Sequence, residues 1–319
     1  MKSLLLSGWL LVVVGRIVTG SAVAQDLGGD MSLGKLLIGG KNWEVAVEGL
    51  GFADGPCSDA EGNFYFSDMR KGADGPGIFQ VALDGSRTKL FSEAASGLMF
   101  GPDGRLYACQ GRDKRIVAFD LKSRKRSVIA TDVQPNDLVV SHRGHVYFTE
   151  TRAKQIRFVD IKSGAKRVVD VGITAPNGIA LSTDGGTLAV SDFRGRHVWT
   201  FRVDEDGSLS AKAPYMTMRT KADPAQLHLP LPAFMPSCRG DGMTSDLTGR
   251  WYVATALGVQ FFDLQGRISG VIPAPGGRGM TSVALAGEGL SWLYITCGDT
   301  IYRRRIKAMG ALYFNGPKG

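Results

Sequence analysis

One phrase recurs six times along this chain, and its spacing leaves few folds open. In "APNGIALSTDGGTLAVSD", residues 175–192, Asn177 opens a short apolar run, and Gly185 stands eight residues on, ahead of a second β-rich run. The same offset pairs Asp54 with Gly62, Ser96 with Gly104, Asn136 with Gly144, Asp241 with Gly249 and Thr281 with Gly289. After each glycine comes a strand-like hexamer: "NFYFSD", "RLYACQ", "HVYFTE", "TLAVSD", "RWYVAT", "WLYITC". Successive anchors are 42, 40, 41, 64 and 40 residues apart. About forty residues is the period of four short strands joined by turns, which is one blade of a β-propeller. Third strands read as Gly77–Val81, Arg115–Phe119, Gln155–Val159, His197–Phe201 and Val259–Phe262, and Lys166–Val169 is a fourth. No amphipathic helical period stands out. The expectation is an all-β, six-bladed propeller, with Val45–Leu50 helping to close the ring.

The rest of the chain is divided accordingly. Lys2, the apolar run Leu4–Val14 and the small-residue signal Ala22-Val23-Ala24 read as an export signal over residues 1–24. That run is too short to span a bilayer as a mature helix. Residues 25–44 are then an N-terminal linker and 45–319 the propeller. The 64-residue step leaves an insertion at about 212–239, rich in Pro and Met, expected to loop over the channel mouth. Export implies a periplasmic or secreted protein in an oxidising compartment, with no membrane contact after cleavage. There the four cysteines, Cys57, Cys109, Cys238 and Cys297, could form one or two disulfides or remain buried thiols. Removing Lys2 and Arg16 with the signal takes the formal charge from +8 to +6. The basic clusters 122–126 and 303–305 fall at strand ends and turns rather than in an aromatic-studded stripe, so no nucleic-acid partner is expected.

The first strand of a propeller blade is innermost, so the six anchors converge beside the axis on one face. Asp54 and Asp241 bring carboxylates there, and Asn136 and Asn177 bring amide carbonyls. Oxygen donors without Cys or His suit one hard divalent cation, Ca²⁺ before Mg²⁺, Zn²⁺ or Mn²⁺. A single Asx-Gly pair is an ordinary turn starter, but chance turns have no reason to keep phase over the repeat. Each second strand runs back to the same face and ends about 14 residues after its anchor. This brings Asp68, Gln110, Glu150, Asp192, Thr255 and Cys297 to that side. Among these, Asp192 and Glu150 are candidate proton acceptors, while Asp68 and Gln110 are candidates for binding substrate hydroxyls.

The phrases "FADGPCSDAEGNFYFSD", "PNDLVVSHRGHVYFTE", "APNGIALSTDGGTLAVSD", "GDGMTSDLTGRWYVAT" and "LGVQFFDLQGRISGVI" occur in order through the repeat. They resemble the SMP-30/gluconolactonase/luciferin-regenerating-enzyme family, in particular its exported bacterial gluconolactonase-like branch. The resemblance covers residues 45 to 307. It implies a propeller with one catalytic divalent cation that hydrolyses sugar lactones. On that resemblance Asp54 takes the place of the family's glutamate ligand, and Asn136 and Asn177 take those of its two asparagines. Asp241 takes the place of the aspartate that is both ligand and proposed base. Gln134 stands where some members carry a substrate-binding arginine.

The expected chemistry is ester hydrolysis: carbonyl polarisation by the cation with carboxylate-assisted attack of water. Asp241 is the base candidate, and Asp192 or Glu150 acting through water is the alternative. No Gly-x-Ser-x-Gly elbow supports a serine nucleophile. The substrate would be a small sugar lactone or related ester. The rival reading is a non-catalytic exported propeller that holds a structural cation and binds a protein or glycan.

Overall fold

The computed structural model describes residues 25–26, 32–220 and 237–316. The expected export signal, and residues 221–236 of the expected insertion, lie outside the described residues. Six small antiparallel sheets form a ring. Blades one to four are consecutive four-stranded meanders over residues 53–91, 98–131, 138–171 and 176–217. Blade five covers 243–272. Blade six combines three strands over 282–305 with Glu44–Val47, which pairs antiparallel with Thr300–Arg305. Sealing the last blade with a strand from the other end of the chain closes the ring by main-chain hydrogen bonds, as expected for the stretch from Val45.

Two boundaries differ from expectation. The 25–44 stretch is more than a linker. Gln25–Asp26 adds a fifth strand to blade five, and the short helix Ser32–Leu36 buries Leu33 and Leu36 against a cluster with Phe261, Ile272 and Ile306. Two leucines three apart share a helix face, and burying both is enough to dock one turn. Likewise, Lys212–Thr217, counted with the insertion, belongs to the nine-residue fourth strand of blade four, Leu209–Thr217.

The second strands are buried along their length and carry the core, with Tyr65, Tyr107, Tyr147 and Tyr252 fully enclosed. Three of these hydroxyls donate to aspartates at the turn leaving the first strand. Tyr65 reaches Asp59 at 2.9 Å, Tyr107 reaches Asp103 at 2.8 Å and Tyr252 reaches Asp246 at 2.8 Å. The polar end of a large apolar side chain therefore fixes each turn while its ring fills the space between blades.

At Gly97, Gly178 and Gly242 the first strands are packed too tightly for a side chain at the position after the anchor. A Cβ on Gly178 would lie 2.2 Å from the carbonyl oxygen of Asp241, and one on Gly97 would lie 2.5 Å from the carboxylate of Asp137. Gly178→Ala must therefore push blades four and five apart. The expected cost is about 1–3 kcal/mol, a fall in Tm of roughly 2–12 °C for a domain of this size. A thermal melt within about a degree of wild type would show that this packing is looser than described.

Candidate functional site: an acidic ring on the propeller axis

Five hydrogen bonds and one backbone packing contact join the six anchor segments into a closed circuit. Thr281 Oγ1 donates to the Ala53 carbonyl at 2.9 Å, and the Gly242 amide donates to the Thr281 carbonyl at 2.8 Å. Ser191 Oγ donates to the Asp241 carbonyl at 2.8 Å and Thr149 Oγ1 to the Asn177 carbonyl at 2.6 Å. Ser96 Oγ donates to the Asn136 carbonyl at 2.6 Å, and Gly55 closes the circle by packing against Ser96 and Gly97. Asp54, Ser96, Asn136, Asn177, Asp241 and Thr281 are thus brought together, each half-buried. Second-strand hydroxyls satisfy the Asn177 and Asp241 carbonyls. The Asn136 and Asn177 side-chain amides have no protein partner among the described residues.

The ring contains a carboxylate that the repeat had not brought forward. Asp137 follows the Asn136 anchor, where blades one, two, four and five have Gly55, Gly97, Gly178 and Gly242. Its carboxylate occupies the space a side chain on Gly97 would need. Oδ1 accepts the Leu138 amide at 2.8 Å and Oδ2 the Ile179 amide at 3.4 Å. The break in the glycine pattern was the available signal; only the packing shows that the charge points into the ring.

Three carboxylates now share a poorly solvated region, and each resists ionisation. Burial pushes Asp54 up to about 7 despite the Gly55 amide and Thr281 hydroxyl that favour its anion. Burial likewise pushes Asp137 up to about 8, with the Asp54 charge adding to it. Asp241 is raised well above the usual carboxylate range, first by burial and then by the charges of Asp54 and Asp137. The Arg239 charge opposes this at Asp241, but less than burial and the two neighbouring carboxylates raise it. Mutually repelling, desolvated carboxylates need protons or a cation.

The donor set fits a hard divalent ion. Among the described residues no three Asp, Glu, His or Cys side chains stand close enough to hold a metal by themselves. A cation on the axis would therefore need the amide oxygens of Asn136 and Asn177 as well as carboxylates.

The ends of the second strands have a different use. Asp192 is buried, and its carboxylate accepts amides from Thr174, Ala175, Arg194 and Gly195 at 3.0–3.3 Å. Asp68 repeats this in blade one, accepting from Gly51, Phe52 and Arg70 at 2.9–3.2 Å. Glu150 accepts the Gln134 amide at 2.5 Å and the Gln155 side-chain amide, with Arg157 at 3.7 Å. Gln110 Oε1 accepts Arg115 Nε at 2.7 Å, while its buried Nε2 has no partner. Gln134 lies with Asn136 on the wall of a cavity of about 510 Å³. Thr255 bonds within its own turn, donating to the Gly258 carbonyl at 2.7 Å. All four cysteines are buried free thiols, and burial pushes Cys238 up to about 11 and Cys297 up to about 12.

Fold and site together define a six-bladed propeller whose inner strands bring Asp54, Asn136, Asp137, Asn177 and Asp241 together beside its axis. Residues 52–299 match the SMP-30/gluconolactonase/LRE-like region, and the chain belongs to that family. A gluconolactonase from Zymomonas mobilis is 26% identical over 302 residues, which cover 84% of this chain and 82% of that protein. A gluconolactonase from Xanthomonas campestris shares the fold with a TM-score of 0.70 at 20% identity, covering 91% of this chain and 99% of that one. Regucalcin, a calcium-binding protein from Agrobacterium tumefaciens, superposes with a TM-score of 0.66 at 17% identity, over 86% and 97% of the two chains.

Proposed function

We propose that the protein is a metal-dependent lactonase that opens sugar lactones. The observation that carries this reading is the axial ring itself: two anchoring carboxylates, two unpartnered amides and a third half-buried carboxylate with little cationic compensation. Asp54, Asn136, Asn177 and Asp241 would hold a divalent cation, which when bound supplies Lewis-acid polarisation of the lactone carbonyl. Family membership and the gluconolactonase relative support the substrate class, and the calcium-binding neighbour supports Ca²⁺ as the ion.

The chain's own residues then have distinct tasks. Asp241 accepts a proton from water as its oxygen adds to the carbonyl carbon. The ring C–O bond breaks, and the departing oxygen takes a proton, leaving the hydroxy acid. Asp137 ties the start of blade three to blade four and so orients Asn136 toward the axis. Gln134 contacts substrate from the cavity wall. Asp68, Glu150 and Asp192 hold the loops around this centre, and Asp241 rather than Asp192 or Glu150 acts as base.

The test is proton release from a panel of aldonolactones by chelator-stripped protein, with Ca²⁺, Mg²⁺, Zn²⁺ or Mn²⁺ added back. Metal-restored hydrolysis supports the lactonase; tight cation binding without turnover favours a non-catalytic binding module. Asp192→Asn separates loop support from catalysis. An amide accepts at one oxygen and presents N–H to donors already there, so a stability loss of about 1–3 kcal/mol is expected. The folded variant should keep kcat within about threefold, whereas a loss near that typical of a missing general base, about a hundredfold or more, would return Asp192 to the chemistry.

A further inference from the structure

The loops that surround the axial site repeat a charge as well as a shape. Two residues after the second strand ends, blades one to four carry Arg70, Arg112, Arg152 and Arg194. All four are exposed. The carboxylates that fix these loops also fix the arginine backbones: Asp68 accepts the Arg70 amide at 3.2 Å and Asp192 the Arg194 amide at 3.1 Å. At the same register blade five has Leu257, and blade six has Asp299, which is paired with Arg278. The positive charge is therefore one-sided.

It is concentrated beside the proposed substrate site. The 510 Å³ cavity that contains Asn136 and Gln134 is also walled by Arg112, Lys114 and Arg152, and no acidic side chain lines it. Among the described residues none of these three cations is ion-paired. Other surface arginines of the same blades have carboxylate partners: Arg87 with Asp74, Arg115 with Asp113 and Arg126 with Glu93, at 2.5–2.8 Å. Three unneutralised cations converging on one concavity raise the local concentration of anions and can hold an oxyanion by charge-assisted hydrogen bonds.

We propose that the substrate is an anionic sugar lactone, bearing a carboxylate or phosphate away from the ring carbonyl, and that Arg112, Arg152 and Lys114 bind that group. This rests on the lactonase reading and narrows its substrate. Hydrolysis is unchanged in balance: water adds at the carbonyl carbon, the ring ester bond breaks, and the remote oxyanion takes no part.

The experiment compares kcat/KM of the metal-loaded full chain for a neutral aldonolactone, an aldaric monolactone and a phosphorylated aldonolactone. Wild type should prefer one of the two anionic substrates by about tenfold or more, and which one it prefers identifies the oxyanion. In Arg112→Gln/Arg152→Gln that preference should fall about tenfold, mainly through KM. Rising salt should erode it in wild type and far less in the variant. Equal or better use of the neutral lactone by wild type overturns the proposal, as does a preference that survives in the variant.

If wild type hydrolyses no lactone, the lactonase reading fails, but the anion site is still decided by calorimetry with an aldarate, a phosphorylated aldonate and an uncharged alditol. Binding of either anion by wild type that is lost in the double variant upholds the site. No binding, or equal binding by the variant, overturns it.

Discussion

Asp241→Asn lowers kcat/KM by about three orders of magnitude while leaving the metal-free protein at least as stable as wild type. The two effects have one cause. Asp241 sits deep enough that its anion is poorly solvated, and the Asp54 and Asp137 charges act on it from within the same ring. In the proposed mechanism that carboxylate would both bind the cation and accept the water proton, so its loss would remove two functions. In the stripped protein it is a source of repulsion, and a neutral amide of nearly the same shape removes it. Steady-state kinetics with the best lactone, together with thermal melts in chelator at pH 8, check both halves. Activity within tenfold of wild type would remove Asp241 from the chemistry. A metal-free variant melting several degrees below wild type would show that the ring carboxylates do not oppose folding.

Adding Ca²⁺ to the stripped protein raises Tm strongly at pH 8 and weakly at pH 5. Saturation at about a hundred times Kd is worth about 2.7 kcal/mol, roughly 5–10 °C for a domain of this size. The pH dependence follows from the direction of the shifts. Asp54 and Asp137 titrate near 7 and 8 in the folded chain, against about 4 when unfolded. Their folded pKa values are raised, so the stability they confer on the metal-free protein is fully present below about pH 4 and is lost as pH rises toward 8. At the proposed site Ca²⁺ would compete with protons for the same oxygens, so binding at pH 5 would have to displace them. Differential scanning fluorimetry at the two pH values, with and without chelator, decides the matter. A stripped protein whose Tm climbs from pH 5 to pH 8, or a larger Ca²⁺ shift at pH 5, would contradict a ring of buried acids.

The repeat was legible because a propeller blade is a local object. Its four strands follow one another in the chain, and the anchor and glycine recur at the pitch of one blade. A residue such as Asn177 can therefore be assigned a place by counting, and the closing strand by noticing an unpaired β-rich run ahead of blade one. The helix at Ser32–Leu36 was harder to foresee. Five residues make too short a period to read, and its stability comes from where Leu33 and Leu36 land on blade five.

For the site, the chain order alone determines that Asp54, Asn136, Asn177 and Asp241 share an inner register, because strand order sets distance from the axis. It cannot determine which nearby carboxylates keep free oxygens. Asp68 and Asp192 have the same register as one another and the same chemistry as Asp241. In three dimensions, though, backbone amides from loops 16–18 residues upstream saturate them. Asp137 is the converse case: a residue beside an anchor whose side chain enters the ring because neighbouring blades contribute only glycine there. Register is a property of the chain, but solvation and hydrogen-bond saturation belong to the assembled surface. They depend on which distant amides and missing side chains surround each oxygen, and only the tertiary structure decides that.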